Sequence, residues 1–228
     1  MNIFERVETK YVLTKEEYEL LMKKIHKHLN QDEYFKTTIC NIYFDTDNYD
    51  LINKSIDKPI YKEKVRLRSY NVPSLSDYVF FEIKSKFKGT VYKRRIKIKL
   101  SDYYNYLINH QYDENNQIMK EIDYLITRYN LKPKLMLSYD RTSYYDKDNK
   151  NFRITFDQNI RSRDDELNLE YGDAGKLYFD KPMYIMELKS LGSLPIWFTK
   201  VLSNLKIYPK SFSKYGNIYK KMRGVSYV

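Results

Sequence analysis

Cationic side chains recur at every second position in several segments of this chain. In YKEKVRLRSY, Lys62, Lys64, Arg66 and Arg68 alternate with Val65 and Leu67. In VFFEIKSK, Phe80, Glu82, Lys84 and Lys86 alternate with Val79, Phe81 and Ile83. In VYKRRIKI, Lys93, Arg95 and Lys97 oppose Tyr92, Ile96 and Ile98. The spacing returns in RVETKY (Arg6, Glu8, Lys10), SYDRTSYY (Tyr139, Arg141), FRITFD (Arg153, Thr155, Asp157) and IMELKS (Glu187, Lys189). Side chains two apart on a strand share a face, so each segment sets a charged face against an apolar one. Arg and Lys in such rows suit phosphate oxygens, and the planar fork of Arg can hold two of them at once. Glutamates among them suit a divalent cation that bridges oxygens. The chemistry this points to is the handling of a polyanion, in which the protein positions groups and neutralises charge.

The elements that must carry these residues follow from the same alternation. Eight stretches read as strands: residues 3–13, 37–45, 60–70, 78–88, 90–99, 134–146, 151–158 and 182–191. Thr14 and Glu17 form a capping box ahead of a helix with Tyr18, Leu21, Met22, Ile25 and Leu29 on one face. A second helix is predicted over 115–130, with Ile118, Ile122, Leu125, Ile126 and Tyr129 in register. A third begins near Ser193 with Pro195 in its first turn. The last runs from about Ser213 to Met222. Residues 161–180 read as a long loop with a short strand. Runs of strands with peripheral helices argue an α+β fold with a mostly antiparallel sheet.

The chain has 228 residues, with 41 Lys plus Arg against 30 Asp plus Glu, a formal charge of +11. That excess points to a polyanionic partner: nucleic acid, anionic lipid or a phosphate chain. With 42% hydrophobic residues it can build a core, and no linker or repeat divides it, so one domain over 1–228 is expected. A single cysteine, Cys40, excludes an internal disulfide framework and a multi-cysteine zinc site. No apolar run approaches a membrane span, and the N-terminal segment has no apolar leader core. A cytoplasmic location is the expectation.

Two arrangements satisfy the strand pattern. One is a half-solvated sheet with its charged face in water. The other is a closed barrel whose apolar faces turn outward under the helices and whose cations line the inside. Eight strands enclose about one elongated ligand. Periodicity alone does not separate the two.

Taken in order, these segments resemble the vacuolar transporter chaperone (VTC) domain, the polyphosphate-polymerase branch of the triphosphate tunnel metalloenzymes. The resemblance runs from Glu8 to Lys214 through RVETKY, VRLRSY, FFEIKSK, VYKRRIKI, SYDRTSYY, FRITFD, IMELKS and SFSKYGNIY. It implies a closed eight-stranded antiparallel barrel with a basic interior and helices outside. It implies catalytic contacts to ATP or polyphosphate from Lys10, Arg66, Arg68, Lys84, Arg141 and Lys214. Lys93, Arg95, Tyr139, Arg153, Lys189 and Ser213 would be further substrate contacts, with Arg94 possible if the register slips by one. Glu187 would ligate manganese or magnesium, with Glu8 or Glu82 assisting. For Glu8 and Glu82 an ion pair with a neighbouring cation is an equal alternative, and Asp157 reads as an ion-pair partner. Hydrolases of the wider superfamily often open with Glu-x-Glu-x-Lys, whereas Arg6 occupies the earlier position here. That departure weakens a two-metal hydrolytic site.

The implied activity is ATP-dependent polyphosphate synthesis, with ATP and inorganic polyphosphate as partners and no nucleic acid. The alternatives are hydrolysis of tripolyphosphate or nucleoside triphosphates, and binding of polyphosphate or nucleic acid without turnover. If product leaves the cell interior, a membrane-associated partner of unknown identity is needed. A terminal phosphate is already an anionic nucleophile, so no general base is required. Accordingly His26, His28 and His110 read as surface residues, Cys40 as a small buried side chain and Trp197 as packing.

Overall fold

The computed structural model describes residues 6–224, with side chains from residue 8. In chain order the elements are β1 (Arg6–Thr14), α1 (Lys15–Ile25), β2 (Leu29–Asp45), α2 (Asp50–Ile56), β3 (Tyr61–Tyr70), β4 (Tyr78–Phe87), β5 (Thr90–Lys99), α3 (Leu100–Asn109), α4 (Gln117–Tyr129), β6 (Lys132–Asp146), β7 (Arg153–Arg163), β8 (Lys176–Leu177), β9 (Met183–Leu191), α5 (Ile196–Asn204) and α6 (Lys214–Met222). The strands form an antiparallel sheet in an α+β fold, as the alternation requires. Among the described residues they number nine, the eight long ones expected and the two-residue β8, which pairs with β7. The hydrogen-bonded path has two ends, β1 and β5, so hydrogen bonding alone does not close it into a ring.

The chain folds into two compact units. One takes in the residues through 37, 139–160 and 177–213; the other takes in 38–138, 161–176 and 214 onward. In the first, β1, β9, β7 and the later part of β6 lie side by side. Their apolar face is buried under α1 and α5: Leu13, Phe152, Ile154, Phe156 and Leu188 pack with Leu21, Ile25, Phe198 and Leu202. In the second, the order is the early part of β6, then β2, β3, β4 and β5. Here Ile42, Phe44, Val65, Leu67, Val79 and Phe81 pack with Leu100, Tyr103 and Tyr106 of α3 and Met119, Ile122 and Ile126 of α4. In each unit the helices therefore cover the apolar face and leave the charged face opposite.

Side-chain caps place the helix starts. Thr14 Oγ1 accepts from the Glu17 amide at 3.2 Å, and Glu17 Oε2 accepts from the Thr14 amide at 2.8 Å, the box read from the sequence. Asn116 Oδ1 accepts from the Ile118 and Met119 amides at 3.1 Å each and starts α4. Buried Asp45 accepts from the Leu51 and Ile52 amides at 2.8 and 3.0 Å, which fixes α2 to the end of β2. The segment read as a long loop with a short strand holds the end of β7, a short 3₁₀ turn over Leu169–Tyr171, and the short strand β8. Its organiser is Arg163. That guanidinium donates to the carbonyls of Glu166, Asn168, Gly172 and Ala174 at 3.2, 3.1, 3.0 and 2.7 Å. Gly175 follows, and a Cβ there would meet the backbone of Ser162 at 2.7 Å, so only glycine permits this approach.

Candidate functional site

In the second unit, three adjacent strands set their cations abreast. Lys62 lies opposite Lys86; Lys64 opposite Lys84, which faces Lys93; Arg66 opposite Glu82, which faces Arg95; and Arg68 opposite Phe80, which faces Lys97. Like charges directly opposite one another across a ladder cost stability, so packing alone does not favour a rung of three lysines. Glu82 is the one acid on these rungs, and it is fully buried. Arg66 Nε approaches it at 2.7 Å, Lys93 Nζ at 2.7 Å and Arg68 Nε at 4.0 Å.

The charge states record this crowding. Burial pushes the Glu82 carboxyl up, but Arg66, Arg68 and Lys93 outweigh it and hold the group at about 2. Burial lowers the Lys93 ammonium, Glu82 pulls it back, and Arg68 and Arg66 push it down again, leaving it at about 8. The two ends of one ion pair thus respond unequally: Glu82 draws on three cations, while Lys93 shares one carboxylate with two guanidiniums. The positive potential also reaches Tyr43. Burial alone would raise its hydroxyl, but Arg66, Arg68 and Lys64 bring it down to about 8.

Two β2 residues that the sequence reading did not single out support the arginines. Tyr43 Oη accepts from Arg66 Nη1 at 3.2 Å, and its ring stacks on Tyr215 with centroids 4.5 Å apart. Buried Asn41 accepts from Arg68 Nε at 2.9 Å and donates to the Leu137 carbonyl at 3.0 Å. The signal was present in ICNIYFD, where Asn41 and Tyr43 alternate with Ile42 and Phe44. Arg95 lies 4.6 Å from the Phe80 ring centroid on the cationic face, whereas Arg94 turns to the helix side and pairs with Glu121 of α4 at 2.7 Å. On β5, Lys93 and Arg95 thus lie on the same face as Glu82, and Arg94 lies on the other.

In the first unit the charged face is balanced differently. β1 and β9 set Lys10 opposite Glu187 and Glu8 opposite Lys189. β7 sets Thr155 opposite Glu187 and Arg153 opposite Lys189. Glu187, nearly buried, has Lys10 Nζ and Arg141 Nη2 each at 3.5 Å. Arg141 grips Asp157 with both arms at 2.6 and 2.7 Å, and its guanidinium lies 5.3 Å from the Tyr139 ring centroid. Burial opposes the Arg141 charge, but Asp157, Tyr139 and Glu187 together raise its pKa well above the ordinary value. Lys10 Nζ also donates to the Phe212 carbonyl at 3.3 Å.

The remaining expected residues sit farther along these elements. Glu8 is exposed and Lys189 half-buried. Arg153 is exposed and pairs with Asp32 at 3.2 Å. Ser213 is half-buried immediately before α6, and Lys214 is the first residue of that helix. Residue 6, the departure noted at the start of β1, has a side chain outside the described residues. Of the histidines, His26 and His110 are exposed, and His28 stacks on Trp197 at 4.3 Å. Cys40 is buried, and burial, with Asp173 adding to it, raises its thiol to about 11.

Among the described residues, no three His, Cys, Asp or Glu side chains gather into a metal-holding group. Glu82 stands in ion pairs, with three cations within 4.0 Å, which disfavours a further cation on it. Asp157 is committed to Arg141. At Glu187, Lys10 and Arg141 are among the partners, each at 3.5 Å, and beside it Thr155 Oγ1 is buried with no hydrogen-bond partner among the described residues. One carboxylate and an orphaned hydroxyl fit a magnesium-type ion, which completes its sphere with phosphate oxygens and water.

Comparison with known proteins places this geometry in context. The profile of the VTC domain matches residues 5–223. A Bacillus halodurans protein provisionally named an adenylate cyclase superposes with a TM-score of 0.57 at 16% identity, covering 91% of this chain and 93% of its own. A Hippeastrum protein, provisionally named an adenylyl cyclase and described as having a dominant triphosphatase activity, superposes at 0.57 with 14% identity, covering 95% and 96%. A Vibrio parahaemolyticus protein, also provisionally an adenylate cyclase, gives 0.51 at 11% identity over 96% and 97%. These likenesses establish the fold. None of the curated proteins compared matches the chain.

Proposed function

Because the chain belongs to the VTC domain family, we propose that it is an ATP-dependent polyphosphate polymerase, which transfers the γ-phosphate of ATP to the end of an inorganic polyphosphate chain. The observation that carries this reading is the cationic ladder of β3, β4 and β5, with Lys64, Lys84 and Lys93 abreast and Glu82 the one acid on its rungs. Such a concentration of cations on one face raises the local potential and attracts an anion. The lowered Tyr43 hydroxyl, held down by Arg66, Arg68 and Lys64 against its burial, reflects the positive potential there.

In this reading Arg66, Arg68, Lys84, Lys93 and Arg95 take non-bridging phosphate oxygens. Lys10, Arg141 and Lys214 add charge as it builds up on the transferring group, and Tyr139, Arg153, Lys189 and Ser213 are further contacts. Glu82 holds Arg66 and Lys93 in place, so that less ordering is needed when substrate binds. Two polyanions must approach each other for transfer, and at close range like charges repel by roughly 4 kcal/mol per pair at an effective dielectric near 20. Offsetting that repulsion is the main task of these side chains. Glu187, with Thr155 beside it and Glu8 on the same face, would hold manganese or magnesium. That ion supplies Lewis-acid polarisation of a phosphoryl oxygen. The nucleophilic oxygen of the growing end is already anionic, so no side chain is assigned as a base. No helix among the described residues is long and apolar enough to cross a membrane. The proposed location is the cytoplasm.

A second reading, hydrolysis of tripolyphosphate or a nucleoside triphosphate, draws on the triphosphatase activity described for the Hippeastrum protein. Incubation with ATP and manganese or magnesium separates the two. ADP with a growing polymer supports the polymerase, ADP with orthophosphate alone supports the hydrolase, and absence of turnover overturns both.

A further inference from the structure

The opposite face of the same three strands carries a second feature of different chemistry. Between β3–β5 and α4 lies a cavity of about 370 Å³, within the size range of small-ligand sites. Its floor includes Ile83 and Leu125, and its walls include the rings of Tyr61, Tyr92 and Tyr124, each about half exposed. Glu63 also lines it and is only 7% exposed. The Tyr61 hydroxyl donates to Glu63 Oε2 at 2.6 Å; Arg128 acts on Glu63 through space, but no ion pair within 4.0 Å reaches it among the described residues. A carboxylate has room for about four hydrogen bonds, and a buried one with a single neutral donor is costly.

The neighbouring charges are otherwise engaged. Arg94 pairs with Glu121 at 2.7 Å, and Glu121 also accepts from Gln117 at 3.1 Å. Lys120 is exposed on α4. The tyrosines at this end of α4 already attract a cation: the Arg128 guanidinium lies 5.5 Å from the Tyr124 ring centroid and 5.4 Å from that of Tyr129. Aromatic faces around a desolvated carboxylate form a receptor for an organic cation. A phosphate would be repelled by Glu63, and no third carboxylate, His or Cys joins Glu63 and Glu121 to hold a bare divalent ion among the described residues.

We propose that this cavity binds an organic cation, a guanidinium or primary ammonium on an aliphatic stem, with the cationic head on Glu63 and the stem among Tyr61, Tyr92, Tyr124, Ile83 and Leu125. The same chemistry is presented by a free small amine and by an arginine side chain of a partner peptide. Calorimetric titration of the full chain with butylguanidine, and with a glycine-flanked single-arginine peptide, distinguishes the sources. Saturable one-to-one binding of either supports the assignment, and the tighter of the two identifies the source. Glu63→Gln, which keeps an acceptor for Tyr61, is expected to weaken binding by at least about tenfold while ATP turnover is unchanged. Tyr92→Ala, at an exposed position that leaves the core intact, is expected to weaken it as well, and neutral butylurea is expected not to compete. Absence of saturable binding by both probes, or undiminished binding in Glu63→Gln and Tyr92→Ala, would overturn the proposal.

Discussion

Lys93 is brought to about 8 chiefly by burial, with Arg68 and Arg66 adding to it, and Tyr43 to about 8 by Arg66, Arg68 and Lys64 against its burial, and both changes of charge run against an anion. Above that pH Lys93 is neutral and Tyr43 is a phenolate, so affinity for polyphosphate falls. Stability moves the other way. Unfolded, the lysine keeps its proton to its ordinary 10.5 and the tyrosine to 10.0. Between about 8 and 10 the unfolded chain therefore binds more protons, and these two groups make the free protein more stable as pH rises. Urea midpoints and polyphosphate titrations across that window are expected to show the opposed trends, and Lys93→Met to flatten both. Parallel trends would overturn the lowered pKa of these two groups. At the same scale, Arg66→Ala and Lys84→Ala are expected to lower ATP turnover by about 100-fold or more, since each removes charge needed where charge builds up in transfer. Circular dichroism should be unchanged, because Glu82 keeps Arg68 and Lys93 as partners.

At the scale of elements, what could be read in advance was what local chemistry dictates. The Thr14–Glu17 box starts α1 where the two side chains require it. Thr14→Ala is expected to cost about 1 kcal/mol in urea unfolding and to leave turnover unchanged. The alternation placed β3, β4 and β5 within a residue or two, and with them the face that carries Arg66, Lys84 and Lys93. The first half of β2, LNQDEYFK, has no clean alternation and became a strand only through its neighbours, one contact being Phe35 edge-on to Tyr144. α3 was missed because its buried stripe is Leu100, Tyr103 and Tyr106, and tyrosine carries little helix signal in a chain with 25 of them. α2 is seven residues long, and its start depends on Asp45, which lies outside the helix. At the site, register was the missing information. That Glu82 would face Arg66 and Arg95, and that Arg94 would turn away to Glu121, depends on which residues pair across strands.

For the molecule as a whole, the formal charge of +11 sets how strongly a polyanion is attracted, and salt sets the range. Charge on an open strand face is screened within about 10 Å at 0.1 M salt. Polyphosphate association is therefore expected to weaken steeply with added salt, while short oligonucleotides of equal charge should compete poorly. Stopped-flow association rates over a salt series check the first expectation, and displacement titrations the second. Equal competition by an oligonucleotide would move the protein toward the class of unspecific polyanion binders. The two faces of β3–β5 also separate by chemistry: cations in rungs on one side, and Glu63 among tyrosines on the other.

The Arg163 guanidinium grips four carbonyls of the segment that follows it. Four attachments share one side chain, so a single substitution removes them all together. A protease that finds no purchase on the parent chain should nick it between residues 164 and 175 once Arg163→Met is introduced, and gel fragments of the corresponding sizes would reveal the cut.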